Sequence, residues 1–143
     1  MSKLLIIYWS STGNTEVMAR RIEDGAKEVI LDVKLLEVTN ANSNMIDEYT
    51  HIALGCSAMG AEVLSDEMEE FFEEIKEKLE GKKVALFGSY GWGDGEWMRN
   101  WEEALKVTKA ELFNSKGLII NESPTKEDEE KLKEYGKELV NFN

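Results

Sequence analysis

Five short runs of apolar residues, at 3–8, 29–36, 51–56, 84–89 and 117–120, alternate with longer amphipathic stretches along this chain. Several runs are continuously apolar instead of alternating in polarity, as parallel strands covered on both faces are. The run at 29–36 differs, because Asp32 and Lys34 interrupt it, and it reads as an edge strand. Four stretches carry apolar residues at helical spacing. The first, 14–27, aligns Met18, Ile22 and Ala26, and the second, 65–79, aligns Met68, Phe71, Phe72, Ile75 and Leu79. The third, 96–108, groups Trp97, Trp101, Ala104 and Leu105, and the fourth, 125–140, carries Leu132, Tyr135, Leu139 and Val140. The fourth opens with Pro124-Thr125 and Asp128, an N-terminal capping signature. A short helical turn is expected near 43–48. Strands joined through helices pair in parallel with right-handed crossovers. The pattern predicts an α/β fold, a three-layer doubly wound parallel sheet of five strands, with residues 1–143 forming one domain.

Charge and cysteine content narrow the function. The net charge of −12 opposes binding to nucleic acid, whose phosphates need a basic face. It equally opposes an anionic membrane surface, and it permits long-range steering toward a basic partner protein. Cys56 is the single cysteine, so no internal disulfide forms and a reducing compartment is expected. The first apolar run is too short to target the chain or span a bilayer, so the expected location is cytoplasmic.

In an open α/β sheet, ligands bind outside the carboxyl ends of the strands. Three segments leave such ends with unusual composition. The first is Ser10-Ser11-Thr12-Gly13-Asn14-Thr15, directly after the run ending in Tyr8-Trp9. It offers hydroxyls, an amide and a glycine where a buried strand turns into a helix. Backbone N–H groups of a first helical turn point outward without partners and carry partial positive charge, so a phosphate fits there. The segment contains no lysine or arginine. A phosphate bound there keeps its charge uncompensated.

The second segment is Ser57-Ala58-Met59-Gly60-Ala61-Glu62, with a soft apolar side chain on a flexible turn. The third is Tyr90-Gly91-Trp92-Gly93-Asp94-Gly95, after Ser89. Three glycines around a tryptophan cost conformational entropy, and a flat aromatic ligand stacked on Trp92 would supply a reason for them. The glycine spacing is not that of a dinucleotide fingerprint, and no Walker A sequence is present. His51 is the only histidine, so neither a metal cluster nor a nucleophile–histidine pair assembles convincingly. His51 reads as a packing residue and Cys56 as buried and inert.

At these residues the chain resembles the flavodoxins, most of all the short-chain flavodoxins of anaerobic bacteria. The likeness rests on Tyr8-Trp9-Ser10-Ser11-Thr12-Gly13-Asn14-Thr15-Glu16, on Gly55-Cys56-Ser57-Ala58-Met59-Gly60 followed by Glu62-Val63-Leu64, and on Ser89-Tyr90-Gly91-Trp92-Gly93-Asp94-Gly95. The resemblance implies strand order 2-1-3-4-5 and one non-covalent FMN. It implies that Ser10, Ser11, Thr12, Gly13, Asn14 and Thr15 hold the 5′-phosphate, with Met59 on the inner flavin face, Trp92 on the outer face and Glu62 at the N3 edge. Ser57, Ala58, Ser89, Tyr90 and Gly91 would line the ribityl and ring, with Gly60, Ala61, Gly93 and Asp94 completing the loops. It implies an electron carrier without a substrate of its own, cycling between semiquinone and hydroquinone at low potential. The implied partners are ferredoxin-linked oxidoreductases, met by a monomer. An uncompensated phosphate, a stacked indole and a strongly negative chain all disfavour a second electron. Asp94 and Glu96 add to that field.

The resemblance also implies that a peptide in the Met59–Glu62 turn flips on reduction, its carbonyl then accepting from flavin N5–H. Close relatives have aspartate after the glycine, where this chain has Ala61. With Met59 at position i, Gly60 supplies a positive φ at i+1 freely, whereas the flipped turn needs it at Ala61. Alanine resists that conformation by about 1–2 kcal/mol, so a less stabilised semiquinone is expected.

Two other readings stay open at this stage. A flavodoxin-like FMN reductase would need room for substrate above the flavin, which Trp92 opposes. A receiver-type signalling domain of the same topology would need clustered aspartates at strand ends, where this chain has Tyr8-Trp9 and Gly55-Cys56.

Overall fold

The computed structural model describes residues 2–143. Strands β1 (Leu4–Trp9), β2 (Val33–Glu37), β3 (His51–Cys56), β4 (Lys83–Tyr90), β5 (Glu111–Leu112) and β6 (Leu118–Asn121) form one parallel sheet. Helices α1 (Asn14–Lys27), α2 (Asp66–Ile75), α3 (Glu96–Lys106) and α4 (Lys126–Val140) cover it. The order is β2-β1-β3-β4-β5, and β6 pairs with the far end of β4.

Side chains alternate across the pleat, and here both faces are buried. Leu5, Ile7, Ile52 and Leu54 point to one side, where they pack with α2 and α3 residues such as Phe72 and Trp101. Leu4, Ile6, Ala53 and Phe87 point to the other, against Met18 and Ile22 of α1 and Leu132 and Leu139 of α4. Two cores on one sheet explain why the runs read as continuously apolar. Strand β2 pairs only with β1, so it is the edge that its interrupted pattern indicated.

The expected five strands become six segments, because the fifth position is split. Lys83 and Val84 pair with Glu111 and Leu112, whereas Phe87 to Tyr90 pair with Leu118 to Asn121. Between them Asn114 and Ser115 take φ of 61° and 63°, a left-handed conformation that no strand tolerates. The two residues of β5 are too few to leave a periodic signal. The edge strand also starts later than the apolar run. Val29 and Ile30 donate to Ala26 O, prolonging the end of α1, and Leu31 is 96% exposed.

Helix starts follow the local chemistry. Ser65 Oγ accepts from Met68 N at 3.1 Å, and Thr125 and Asp128 form the reciprocal capping box that the sequence indicated. Helix α2 ends at Ile75 and tightens into a 3-10 turn at Lys76–Lys78. The turn expected near 43–48 is a 3-10 segment, Ser43–Glu48. Among the described residues, no helix is long and apolar enough to cross a membrane.

Candidate functional site

Parallel pairing brings Trp9 beside Cys56 and Gly55 beside Phe87, so the loops after β1, β3 and β4 leave the sheet at the same end. The first runs into α1, whose N-cap, Gly13, takes φ 100° with no side-chain cap. Ser10 Oγ accepts from Gly13 N at 3.1 Å and Glu16 N at 3.2 Å, curling the loop over the helix start. The amides of Asn14 and Thr15, in the first helical turn, have no intrahelical partner. They form an open anion cradle. Beneath it the fully buried Thr15 hydroxyl lies 2.7 Å from Ser57 Oγ and 3.2 Å from Ser89 Oγ, and accepts from Ser89 N at 3.2 Å. Three hydroxyls, from the start of α1, the second loop and the end of β4, thus tie the three strand ends together.

The second loop is a tight hairpin. Met59 N donates to Val63 O and Val63 N to Met59 O, both at 2.9 Å, enclosing Gly60-Ala61-Glu62. Gly60 has the positive φ expected of it, 46°, and Ala61 keeps an ordinary φ. Glu62 also has a positive φ, 55°, which the turn pattern did not reveal.

Glu62, which the resemblance puts at the N3 edge, is only 6% exposed, and its carboxylate is directed under the third loop. Oε1 accepts from Asp94 N at 2.6 Å, and Oε2 from Gly95 N and Trp97 N, each at 3.2 Å. The N-cap of α3, Gly95, has φ 98° and no side chain to cap the helix, so Glu62 supplies both the acceptor and the negative charge that the helix start favours.

That arrangement also accounts for two of the three glycines. A Cβ on Gly93 would lie 1.8 Å from Glu62 Oε1, and Gly93 and Gly95 both have positive φ. Gly91 meets neither constraint. Trp92 between them is 75% exposed and lines a hollow of about 480 Å³ with Ala61, Glu62 and Asp94. Tyr90 folds inward and packs on Trp97, with centroids 5.6 Å apart.

Three residues join the site that the sequence reading missed. Asn121 Nδ2 donates to Tyr90 O at 3.1 Å and Gly91 O at 2.8 Å, and Ser123 Oγ lies 3.1 Å from Asn14 Oδ1. Asn121 ends β6 and Ser123 lies on the loop that follows, a fourth strand end that the topology rule could have included. Arg99 on α3 donates to Asp94 Oδ1 at 2.9 Å, so the expected free charge of Asp94 is paired.

Cys56 lies below the loops, fully buried. Burial pushes its thiol up to about 11, hydrogen bonding with the Ser65 backbone and hydroxyl only partly opposing this. It is expected to resist alkylation by iodoacetamide at pH 8 in the folded protein and to react promptly in urea, because only the thiolate attacks. Rapid labelling without denaturant would contradict this. His51 is buried at the opposite end of the sheet, with Nε2 2.7 Å from Phe142 O, and burial lowers its pKa.

The family model for flavodoxins matches residues 6–136. The chain belongs to the flavodoxin family. A flavodoxin of Clostridium beijerinckii is 46% identical over 138 residues, covering 96% of this chain and 99% of that one. A flavodoxin of Megasphaera elsdenii is 46% identical over 120 residues, covering 83% and 86%. The solution structure of the two-electron reduced M. elsdenii flavodoxin superposes with a TM-score of 0.86 at 43% identity, over 96% of this chain and 98% of that one. As a flavodoxin, this is an FMN-binding electron-transfer protein that passes electrons to redox partner proteins, and not an enzyme. The site fits that cofactor: open helix amides for a phosphate, hydroxyls beneath them, and an exposed indole beside a hollow.

Proposed function

We propose that the four loops hold FMN with its phosphate on Ser10, Ser11, Thr12, Gly13, Asn14 and Thr15. Ser57, Ala58, Ser89, Tyr90 and Gly91 line the ribityl and the inner ring, and Met59 and Trp92 cover the two ring faces. Gly60, Ala61, Glu62, Gly93 and Asp94 shape the rim, with Glu62 binding the Met59 loop to the Trp92 loop. The bound flavin supplies one-electron redox chemistry.

The observation that carries this reading is the pair of open amides, Asn14 and Thr15, at the start of α1 above a buried hydroxyl trio. Phosphate recognition by neutral donors makes a direct test. Apoprotein is expected to bind FMN at least about tenfold more tightly than riboflavin, measured by quenching of flavin fluorescence. Equal affinities would overturn the placement of the phosphate.

We further propose a low working potential, between ferredoxin-linked oxidoreductases, for a monomer acting in the cytoplasm through one domain over residues 1–143. The surrounding charge supports it. Of the cations near the loops, Arg20 is held by Glu16 at 2.8 Å and Arg99 by Asp94 at 2.9 Å. Neither guanidinium is left to offset a negative ligand, in a chain of net charge −12. Each electron added there meets an unfavourable field.

Ala61 tunes this site. Reversal of the Gly60–Ala61 peptide would force positive φ on Ala61, at a cost of about 1–2 kcal/mol. Ala61→Gly is therefore expected to raise the first-electron potential by up to about 40–90 mV, at ~59 mV and ~1.4 kcal/mol per tenfold. An unchanged or lower potential in a redox titration would show that the turn does not reverse at this peptide.

A further inference from the structure

Of the five large apolar side chains exposed among the described residues, three line connected hollows: Val63 (53%), Trp92 (75%) and Val107 (82%). Between Val63 and Val107 runs a groove separating α2 from α3. Its upper part, of about 230 Å³, is floored by Leu64, Phe72, Trp97 and Trp101. Its lower part, of about 470 Å³, extends past Ala104 to Val107. Phe72, Glu73 and Ala104 line both parts, so the groove is continuous.

The two walls differ in charge. The α2 side carries Glu69 and Glu73 and, beyond the helix, Glu77 and Glu80. Lys76 pairs with Glu73 at 2.8 Å, which leaves that wall negative. The α3 wall presents Asn100 and Ala104, which are uncharged, and beyond the helix Thr108 and Lys109, the latter a cation in the lower part of the groove away from Glu69. A one-sided acidic wall beside an apolar floor complements a segment that is apolar on one face and basic along one edge. The upper end is lined by Glu62, which also lines the hollow beside Ala61 and Trp92.

We propose that this groove docks a basic, amphipathic segment of the electron-transfer partner, seating apolar side chains between α2 and α3 and lysine or arginine against Glu69, Glu73 and Glu77. Continuity with the loops places the partner beside the redox site. This rests on the electron-carrier reading proposed above and adds the surface and chemistry of the partner. An interface of this extent suits the brief encounters of electron transfer better than a permanent complex. Acidic residues elsewhere on the chain steer the approach and do not define the seat.

The test uses FMN-loaded protein and, as probe, a short amphipathic helical peptide of leucine and lysine. Binding is followed by amide and indole N–H shifts. The Trp101 indole N–H, buried and without an acceptor among the described residues, is a sensitive reporter. Shifts are expected to concentrate on Val63, Phe72, Trp101, Ala104 and Val107. Ala104→Arg, which fills the groove, is expected to weaken the peptide at least about tenfold and leave the flavin spectrum unchanged. Val107→Lys, at a side chain in solvent, is expected to act in the same direction without disturbing the fold. Glu130→Arg on α4 makes a charge change twice as large but away from the groove, and less than about a twofold loss is expected. Equal losses for the α3 and α4 variants, shifts spread over every acidic face, or no peptide binding would overturn the proposal. If the native chain failed to bind flavin, the electron-carrier reading would fail instead. Normal flavin binding with a groove-insensitive peptide sinks the groove alone.

Discussion

Replacing Gly93 with alanine is expected to remove about 3 kcal/mol of stability and to weaken FMN binding at least about tenfold. The residue has φ 101°, where alanine costs about 1–2 kcal/mol. Its new Cβ would lie 1.8 Å from Glu62 Oε1, so the carboxylate must withdraw. The amides of Asp94, Gly95 and Trp97 then lose a charged acceptor at the start of α3. Charge-assisted hydrogen bonds contribute about 1.5–3 kcal/mol, so the two effects together exceed either alone. Glu62 also lies within the Met59–Val63 hairpin and ties it to the Trp92 loop, so both proposed ring-covering residues lose their support. Gly91→Ala is the control, with no atom within 4 Å of the added carbon and no positive φ. Its stability is expected to change by less than about 0.5 kcal/mol. Urea unfolding of the two apoproteins separates them, and equal stabilities would contradict the role given to Glu62.

Gly136→Ala is expected to destabilise by about 3 kcal/mol, although alanine is the better helix former by about 1 kcal/mol. Helices α1 and α4 meet backbone to backbone on the face of the sheet away from the groove. A Cβ on Gly136 would lie 2.2 Å from Ile22 O and 3.0 Å from Ala26 N. Reciprocally, a Cβ on Gly25 would lie 1.8 Å from Lys133 O. Backbone atoms cannot swing aside, so the helices must separate and the packing of Ile22, Leu132 and Leu139 loosens. The melting temperature is expected to fall by roughly 10 °C, at about 2–4 °C per kcal/mol for a chain near this size. The site is remote, so the bound-flavin spectrum should not change. A rise in melting temperature would show that helix propensity outweighs the close approach.

The two glycine sites show where reading a sequence succeeds and where it stops. The start of α1 was legible because strand, turn and helix signals sit side by side in Tyr8 to Asn14. The capping box at Thr125 and the burial of both sheet faces were legible for the same reason, being written within a few residues. Gly25 and Gly136 were not, because each needs a partner helix distant in sequence. The same holds for Glu62. A glutamate in a turn looks solvent-facing, and only the packing of α3 shows a helix start waiting for its carboxylate. Asn121 and Ser123 reach the site through the split fifth strand position, whose second segment brings their loop beside Tyr90 and Asn14. Leu31 is the opposite case, an apolar residue that tertiary structure leaves in solvent.

The most direct test of the account is stepwise anaerobic reduction of the FMN-loaded protein, followed by visible absorption. A carrier of single electrons predicts a long-wavelength band of the one-electron-reduced flavin that grows, passes through a maximum and bleaches as the second electron enters at lower potential. Passage from yellow to colourless without that band would contradict the account and mark a two-electron flavoprotein.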